Sequence, residues 1–548
     1  MPHFRGIKDA CRRVVQKFVV NKAETSDKSA ANRVARDEQA TEAIHQVRSQ
    51  DSAPAIDEGA AAKPRKASRT LKPLLAFLGA YTLFFFWLAY RKYSLFTNDS
   101  EDASLFVNTF WSTLHGRFFW NYMLGMSFFG DHTDWFMVPL LPIYWLAPYP
   151  ATLLLLQSAF IAAAGVPIYL LARDALEDSR AAWCMTVAFL FFPAIVSQHV
   201  NQIHDTQFII VFLLFAFYFY HHERFGMFTL FLALSCLGKE NVPLTLMMFG
   251  VYALVQRRRW KWVIAPWLVS GIASGLFFKF IMPHFRGPIP YRSFSYFGAL
   301  GDTPMAVLGK AVKNPSLLFA TLLTPINVLY FRRLVQPAGL VLPFLSMPII
   351  FALPDLMVNL LVDNTALKSV RWHYNLTVGA FLFVAVIFSV KKLSGWLTRR
   401  YGPGRYALGF SIWLVFLSFA NRTLWFDPND YREPPQYNSL RTALAQVPPR
   451  ASVLVPQTML TAVADRWNFN TIQYWLVTKN QPAKLFQYKY VIIDQNEWRP
   501  MWKVPVEIIQ EYTSNPSYEL IFNEQNVVVF RRVGEDTIAG SPPDPSSP

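Results

Sequence analysis

Uninterrupted apolar runs, long enough to cross a hydrocarbon core of about 30 Å or nearly so with tilt, recur along this chain after residue 72. They read as spans 73–90, 150–171, 181–198, 206–221, 225–239, 242–256, 261–282, 315–331, 335–353, 374–391 and 405–421. Backbone placed in hydrocarbon must satisfy its own N–H and C=O groups, so runs of this length dictate helices. The expected fold class is mainly α, a polytopic transmembrane helical bundle of about eleven spans with a small C-terminal extracytoplasmic α/β domain. Composition points the same way: 53% hydrophobic residues against 16% charged, over 548 residues, is too apolar for one soluble core.

The net charge of +16 sits in short Lys/Arg clusters between the apolar runs, a pattern of loops facing anionic headgroups and not of a nucleic-acid surface. With the N-terminus inside, the even-numbered connections hold Arg173/Arg180, Arg224, Arg257–Arg259 with Lys261, Arg332/Arg333, and Lys391/Lys392 with Arg399, Arg400 and Arg405. That is the positive-inside pattern, and an odd number of spans then puts everything after Asn421 on the outer face. Cys11, Cys184 and Cys236 lie in a polar tail and two apolar segments and suggest no disulfide framework.

Residues 1–72 lack the continuous apolar stretch of a cleavable signal peptide and read as a disordered cytoplasmic tail. Its first twenty residues are compatible with a short basic amphipathic helix or with a solvated segment. Residues 73–421 form the transmembrane domain, 422–533 the extracytoplasmic α/β domain, and 534–548 a disordered tail. Strands are expected at 452–456, 488–494, 518–522 and 527–531, the last two as a terminal hairpin.

The outer connections carry the polar residues that need a chemical reason. The first runs from Arg91 to Trp135 and holds Asp99, Glu101 and Asp102, then Asp131 and His132 with Asp134. Prolines at 139, 142, 148 and 150 break the next apolar stretch into short helices suited to the interface and to the floor of a cavity. His199, His204 and Asp205 follow the third span, and Lys239-Glu240 the fifth. A His beside a carboxylate can serve acid–base chemistry or be a solvated turn; Lys239-Glu240 can be a functional pair or a helix-end ion pair. Two His and one Asp also suggest a metal site, but their separations match no metal-ligand motif, so no cofactor is expected and a divalent metal stays open without being indicated. Arg371-Trp372-His373-Tyr374 meets the bilayer before the tenth span, where an Arg fork suits phosphate and equally suits headgroup anchoring.

The run Glu101–Trp111, then His115-Gly116-Arg117, Gly130-Asp131-His132 and Leu153–Gln157, resembles the opening of DUF2079, a family of uncharacterised bacterial membrane proteins. Lys239-Glu240-Asn241 and Pro354–Asn359 resemble later motifs of that family, and His204-Asp205 stands where it tends to have His-Pro-Glu. The family in turn resembles the GT-C superfamily of polytopic glycosyltransferases, which includes protein O-mannosyltransferases and aminoarabinose transferases. The resemblance implies a bacterial cytoplasmic (inner) membrane protein that transfers a sugar from a polyprenyl-phosphate donor to an envelope glycan, lipid or protein acceptor on the outer face. Asp102 would be the general base, with Glu101, Asp131 or His132 sharing the catalytic site; His204, Asp205, Lys239, Glu240, Arg371 and His373 would bind substrate. A transporter or flippase of lipid-linked envelope intermediates, or a non-catalytic membrane scaffold, stands as the alternative.

Overall fold

The computed structural model describes residues 68–535, apart from 202, 290, 292–295, 299, 302–303, 479–480 and 498–502. Of the tails expected at 1–72 and 534–548, residues 1–67 and 536–548, with the amphipathic segment near the N-terminus, lie outside the described residues. The chain divides into two compact units, Met1–Leu71 and Lys72–Pro548, and everything below concerns the second.

That unit is mainly helical. Among the described residues, four helices are long and apolar enough to cross a membrane by themselves: Leu71–Ser94, Pro150–Leu176, Trp260–Arg286 and His373–Tyr401. Two further stretches are helix pairs broken at a proline: Ser179–Leu190 with Pro193–Val200, bent by 53°, and Pro315–Leu322 with Pro325–Val335, bent by 58°. Asp178 starts the first pair by accepting hydrogen bonds from the amides of Arg180 (2.8 Å) and Ala181 (3.2 Å). The remaining apolar helices, such as Thr206–His221 and Val242–Val255, are shorter. By length and composition alone, four to six stretches of the described residues qualify as spans, against about eleven expected.

The span expected at 335–353 departs most. The helix before it ends at Val335, and the chain continues through 3-10 turns at Leu342–Leu345 and Met347–Ala352 before the helix Leu353–Leu361. Pro343, Pro348 and Pro354 remove backbone donors at intervals too short for an α-helix. Packing against the Leu376–Tyr401 helix compensates in part, with the Ser346 hydroxyl donating to the Ala385 carbonyl at 2.7 Å.

Residues after Asn421 build a five-stranded sheet from β3 (Val453–Val455), β4 (Phe469–Thr471), β5 (Tyr490–Asp494), β6 (Tyr518–Glu524) and β7 (Val527–Arg532); β1 and β2 are a two-residue pair in the first loop, Trp120–Asn121 and Met126–Ser127. The order is β4-β3-β5-β7-β6, with β3 parallel to β4 and β5 and the β5–β7 and β6–β7 pairs antiparallel. Alternating side chains serve two cores. Leu454, Val491, Ile493 and Val528 pack with Ile508 and Tyr512 of the Val506–Ser514 helix. Val453, Val455, Ile492, Val527 and Val529 face the other way and join a core with Phe106, Phe110 and Phe128 of the first loop. The sheet thus buries one face against the segment that carries Asp102.

Candidate functional site

The Glu101–Leu114 helix begins with two carboxylates, which favour a helix N-terminus through the backbone dipole. Its start is held by residues far along the chain. Gln457 Nε2 donates to Asp99 Oδ1 (3.2 Å) and to Glu101 Oε2 (3.0 Å), the Ser100 hydroxyl donates to the Thr458 carbonyl (3.0 Å), and Thr461 Oγ1 donates to the Ser100 carbonyl (3.1 Å). Two turns later, Asn108 Nδ2 donates to the carbonyls of Ala464 and Arg466, both at 2.9 Å. Glu101 is therefore engaged with the C-terminal segment, whereas Asp102 Oδ2 lies 4.0 Å from His373 Nδ1. The two adjacent acids thus have different surroundings.

His373 and His204 stack face to face, with ring centroids 3.3 Å apart and planes within 12°. Two polar lattices fix them. The Ser197 hydroxyl donates to the Val370 carbonyl (3.1 Å), Asn201 Nδ2 to the Arg371 carbonyl (2.6 Å) and Gln198 Nε2 to the Trp372 carbonyl (3.2 Å), sewing the end of the Pro193–Val200 helix to the segment before His373. Gln207 accepts from the His204 amide (2.9 Å) and donates to the Gln198 carbonyl (2.9 Å), closing the turn that carries His204. The Asp205 carboxylate lies against His204 Nδ1, and the Lys239 ammonium is 3.5 Å from His204 Nε2. Sequence reasoning named His204, Asp205, Lys239, His373 and Asp102 separately, and the structure brings these five together.

Burial, then the neighbouring Glu101 and Asp99, pushes the Asp102 carboxyl up to about 7, against the pull of Lys239 and His132, although 31% of its side-chain surface stays accessible. Burial also drives His204 well below the usual imidazole range, helped by His373, Lys239 and His132. Its neutral ring, with Asp205 at Nδ1, favours a proton on Nδ1 and a lone pair on Nε2.

The second acidic group lies beside the first. His132 Nδ1 is 3.1 Å from Glu240 Oε1 and its Nε2 3.6 Å from Asp131 Oδ2, and the His132 and His204 ring centroids are 6.3 Å apart. Tyr291 donates to Glu240 Oε1, and the Thr133 amide donates to Oε2 at 3.4 Å. Burial alone would raise Glu240, but His132, Lys239 and Tyr291 outweigh it and hold the carboxyl at about 2. Lys239 and Glu240, adjacent in sequence, thus reach different partners. Asp134 is buried among apolar side chains beside a void of about 10 Å³, and burial lifts it well above the carboxylate range.

Arg371 is engaged within the protein. Its guanidinium donates to Asp430 Oδ2 at 2.7 Å, and the same oxygen accepts from Lys92 at 3.1 Å. One nitrogen of the fork read as a phosphate or headgroup contact is engaged with a carboxylate in the C-terminal segment, and 39% of the side chain stays exposed. Asp430 and Gln457 went unnoticed in the sequence because isolated polar residues in a soluble-looking stretch carry no signal.

Among solved structures, ArnT from Cupriavidus metallidurans bound to undecaprenyl phosphate aligns with TM-score 0.49 at 13% identity, over 86% of this chain and 99% of that one. The apo state of the same protein aligns with TM-score 0.49 at 12% identity, over 84% and 98%. No curated protein matches. The family model for DUF2079, described as a predicted membrane protein, matches residues 91–529, which includes each of the acidic, histidine and lysine residues placed above. By that match the chain belongs to the DUF2079 family of predicted membrane proteins.

Proposed function

We propose that the chain is a membrane glycosyltransferase, moving a sugar from a polyprenyl-phosphate donor to a cell-envelope acceptor on the outer face of the membrane. The observation that supports this most is the convergence of Asp102, His204, Lys239 and His373, from four separate segments, beside long apolar helices suited to a lipid carrier. In this reading an acceptor hydroxyl or amine attacks the anomeric carbon while Asp102 takes its proton. The bond from that carbon to the phosphate oxygen breaks, and its electron pair leaves on the lipid phosphate. Phosphate is already a good leaving group, so one base suffices where a glycosidase needs two carboxylates. The Lys239 ammonium offsets the charge that grows on the departing phosphate, and His373 holds the other flank. Arg371, tied to Asp430, orders the segment leading into His373 and does not touch donor.

Mass spectrometry of envelope glycans and glycolipids, from cells with and without the chain, tests the reading. The expected result is loss of one sugar from one acceptor class. An unchanged profile, with no polyprenyl phosphate released by the purified protein from a panel of lipid-linked sugars, would remove it.

A further inference from the structure

One oxygen of Asp102 and one ring nitrogen each from His204 and His373 lie within 4.8 Å of one another. Ligands that share one tetrahedral zinc at 2.0–2.2 Å stand about 3.3 Å apart, so closing onto an ion asks each side chain to move by roughly 1 Å. Behind His204, the Asp205 carboxylate lies against Nδ1 and has no other hydrogen-bond partner among the described residues. A carboxylate in that place sets the tautomer whose Nε2 ligates and makes the imidazole a better donor. The buried Nε2 of His373 is also without a hydrogen-bond partner. Four carboxyl groups, of Asp102, Asp205, Asp131 and Glu240, gather here with the Lys239 ammonium, while Arg286 stacks on Tyr291 beside Glu240 and Arg371 pairs with Asp430. The ammonium 3.5 Å from His204 Nε2 marks a place where a cation is already drawn.

We propose that Asp102, His204 and His373 form a site for one divalent transition ion of the zinc or manganese class, with Asp205 supporting His204 from behind. Two imidazoles and one carboxylate leave coordination positions open, which is the donor set of a reactive site and not of a closed structural one. The ion's use rests on the glycosyltransferase reading: it would polarise a phosphate oxygen of the lipid-linked donor, beside Lys239. Asp102 would bind through one oxygen, and a carboxylate so bound retains a second that accepts a proton.

The test uses the full chain in detergent, stripped with EDTA, equilibrated with zinc or manganese chloride, desalted, and measured for bound metal by mass spectrometry. Cobalt serves as a visible-absorption probe of the same site. About one ion per chain is expected in wild type, at least tenfold weaker binding in Asp102→Asn and Asp205→Asn, and none in His373→Phe, which keeps the ring stack. Lys239→Gln should still bind. No ion in wild type, or undiminished binding in His373→Phe, overturns the site and leaves Lys239 as the cation there. Ion binding without any sugar transfer would keep the site and remove the transferase reading, while full transfer by EDTA-stripped protein would do the reverse.

Discussion

The ring of His204 lies flat on that of His373, 3.3 Å between centroids, although the two come from opposite sides of the bundle sequence. Stacking and chemistry can be separated at this pair. His373→Phe keeps an aromatic face against His204 and removes both nitrogens, so the melting temperature should shift by the equivalent of no more than about 1 kcal/mol. Transfer should fall by at least about 10²-fold. A variant as active as wild type would take His373 out of the reacting site.

Asp102→Asn keeps size and removes basicity. Loss of a general base corresponds to about 10² to 10⁴ in rate, or roughly 3 to 5 kcal/mol of barrier, with folding and membrane insertion unaffected. Glu101→Gln should be much milder, because Glu101 accepts from Gln457 while Asp102 faces His373. Turnover measured on purified protein decides the order, and a dead Glu101→Gln beside an active Asp102→Asn would move the role one residue back.

The membrane-flanking polar residues were legible because a His, Lys or Asp is conspicuous against an apolar background. That is why Asp102, Asp131, His132, His204, Asp205, Lys239, Glu240 and His373 could all be named in advance. Which of them touch was not legible, since Asp102 and His373 lie on segments with no spacing between them to read. The Arg371–Asp430 contact was hidden for the same reason: Asp430 belongs to a stretch that read as a separate soluble domain. Hydropathy also overcalled 335–353, where a buried run with prolines has the composition of a span without its helical continuity. Strand β4, only Phe469–Thr471, is too short to show a period of two.

Glu240 makes stability depend on pH in a definite direction. Its carboxyl is held at about 2, below the 4.5 of a free glutamate, so the unfolded chain takes up a proton first as pH falls. The stabilisation is fully present above about 4.5 and is lost as pH drops toward 2. Glu240→Gln should therefore destabilise by about 2 to 4 kcal/mol near neutral pH, since His132 and Tyr291 lose a buried charged acceptor. Melting curves of both proteins should converge as the medium is acidified through that window; a constant gap would deny the coupling.

Asp430 joins Lys92 to Arg371 with little solvent access, the Lys92 side chain being 3% exposed. Asp430→Asn should cost about 2 to 4 kcal/mol, because it weakens the compensation of a buried ammonium. Combining it with Lys92→Met should recover part of that loss, and a double-mutant cycle by thermal denaturation measures the coupling. Strict additivity would show that the pair contributes nothing.

The clasp of Gln457 on Glu101 spans 356 residues of chain. At ordinary synthesis rates the first loop emerges roughly 20 to 70 s before the residue that covers it has been made. A nascent chain is therefore a different object from a finished one: its acids stand open in the membrane, without the surface that orients them. Pulse-labelled chains should gain protease resistance around Asp99–Asn108 only after residue 466 is synthesised, and a premature stop before Gln457 should yield a protein that inserts but never closes. Covering of these acids therefore waits for the segment around Gln457 to be made.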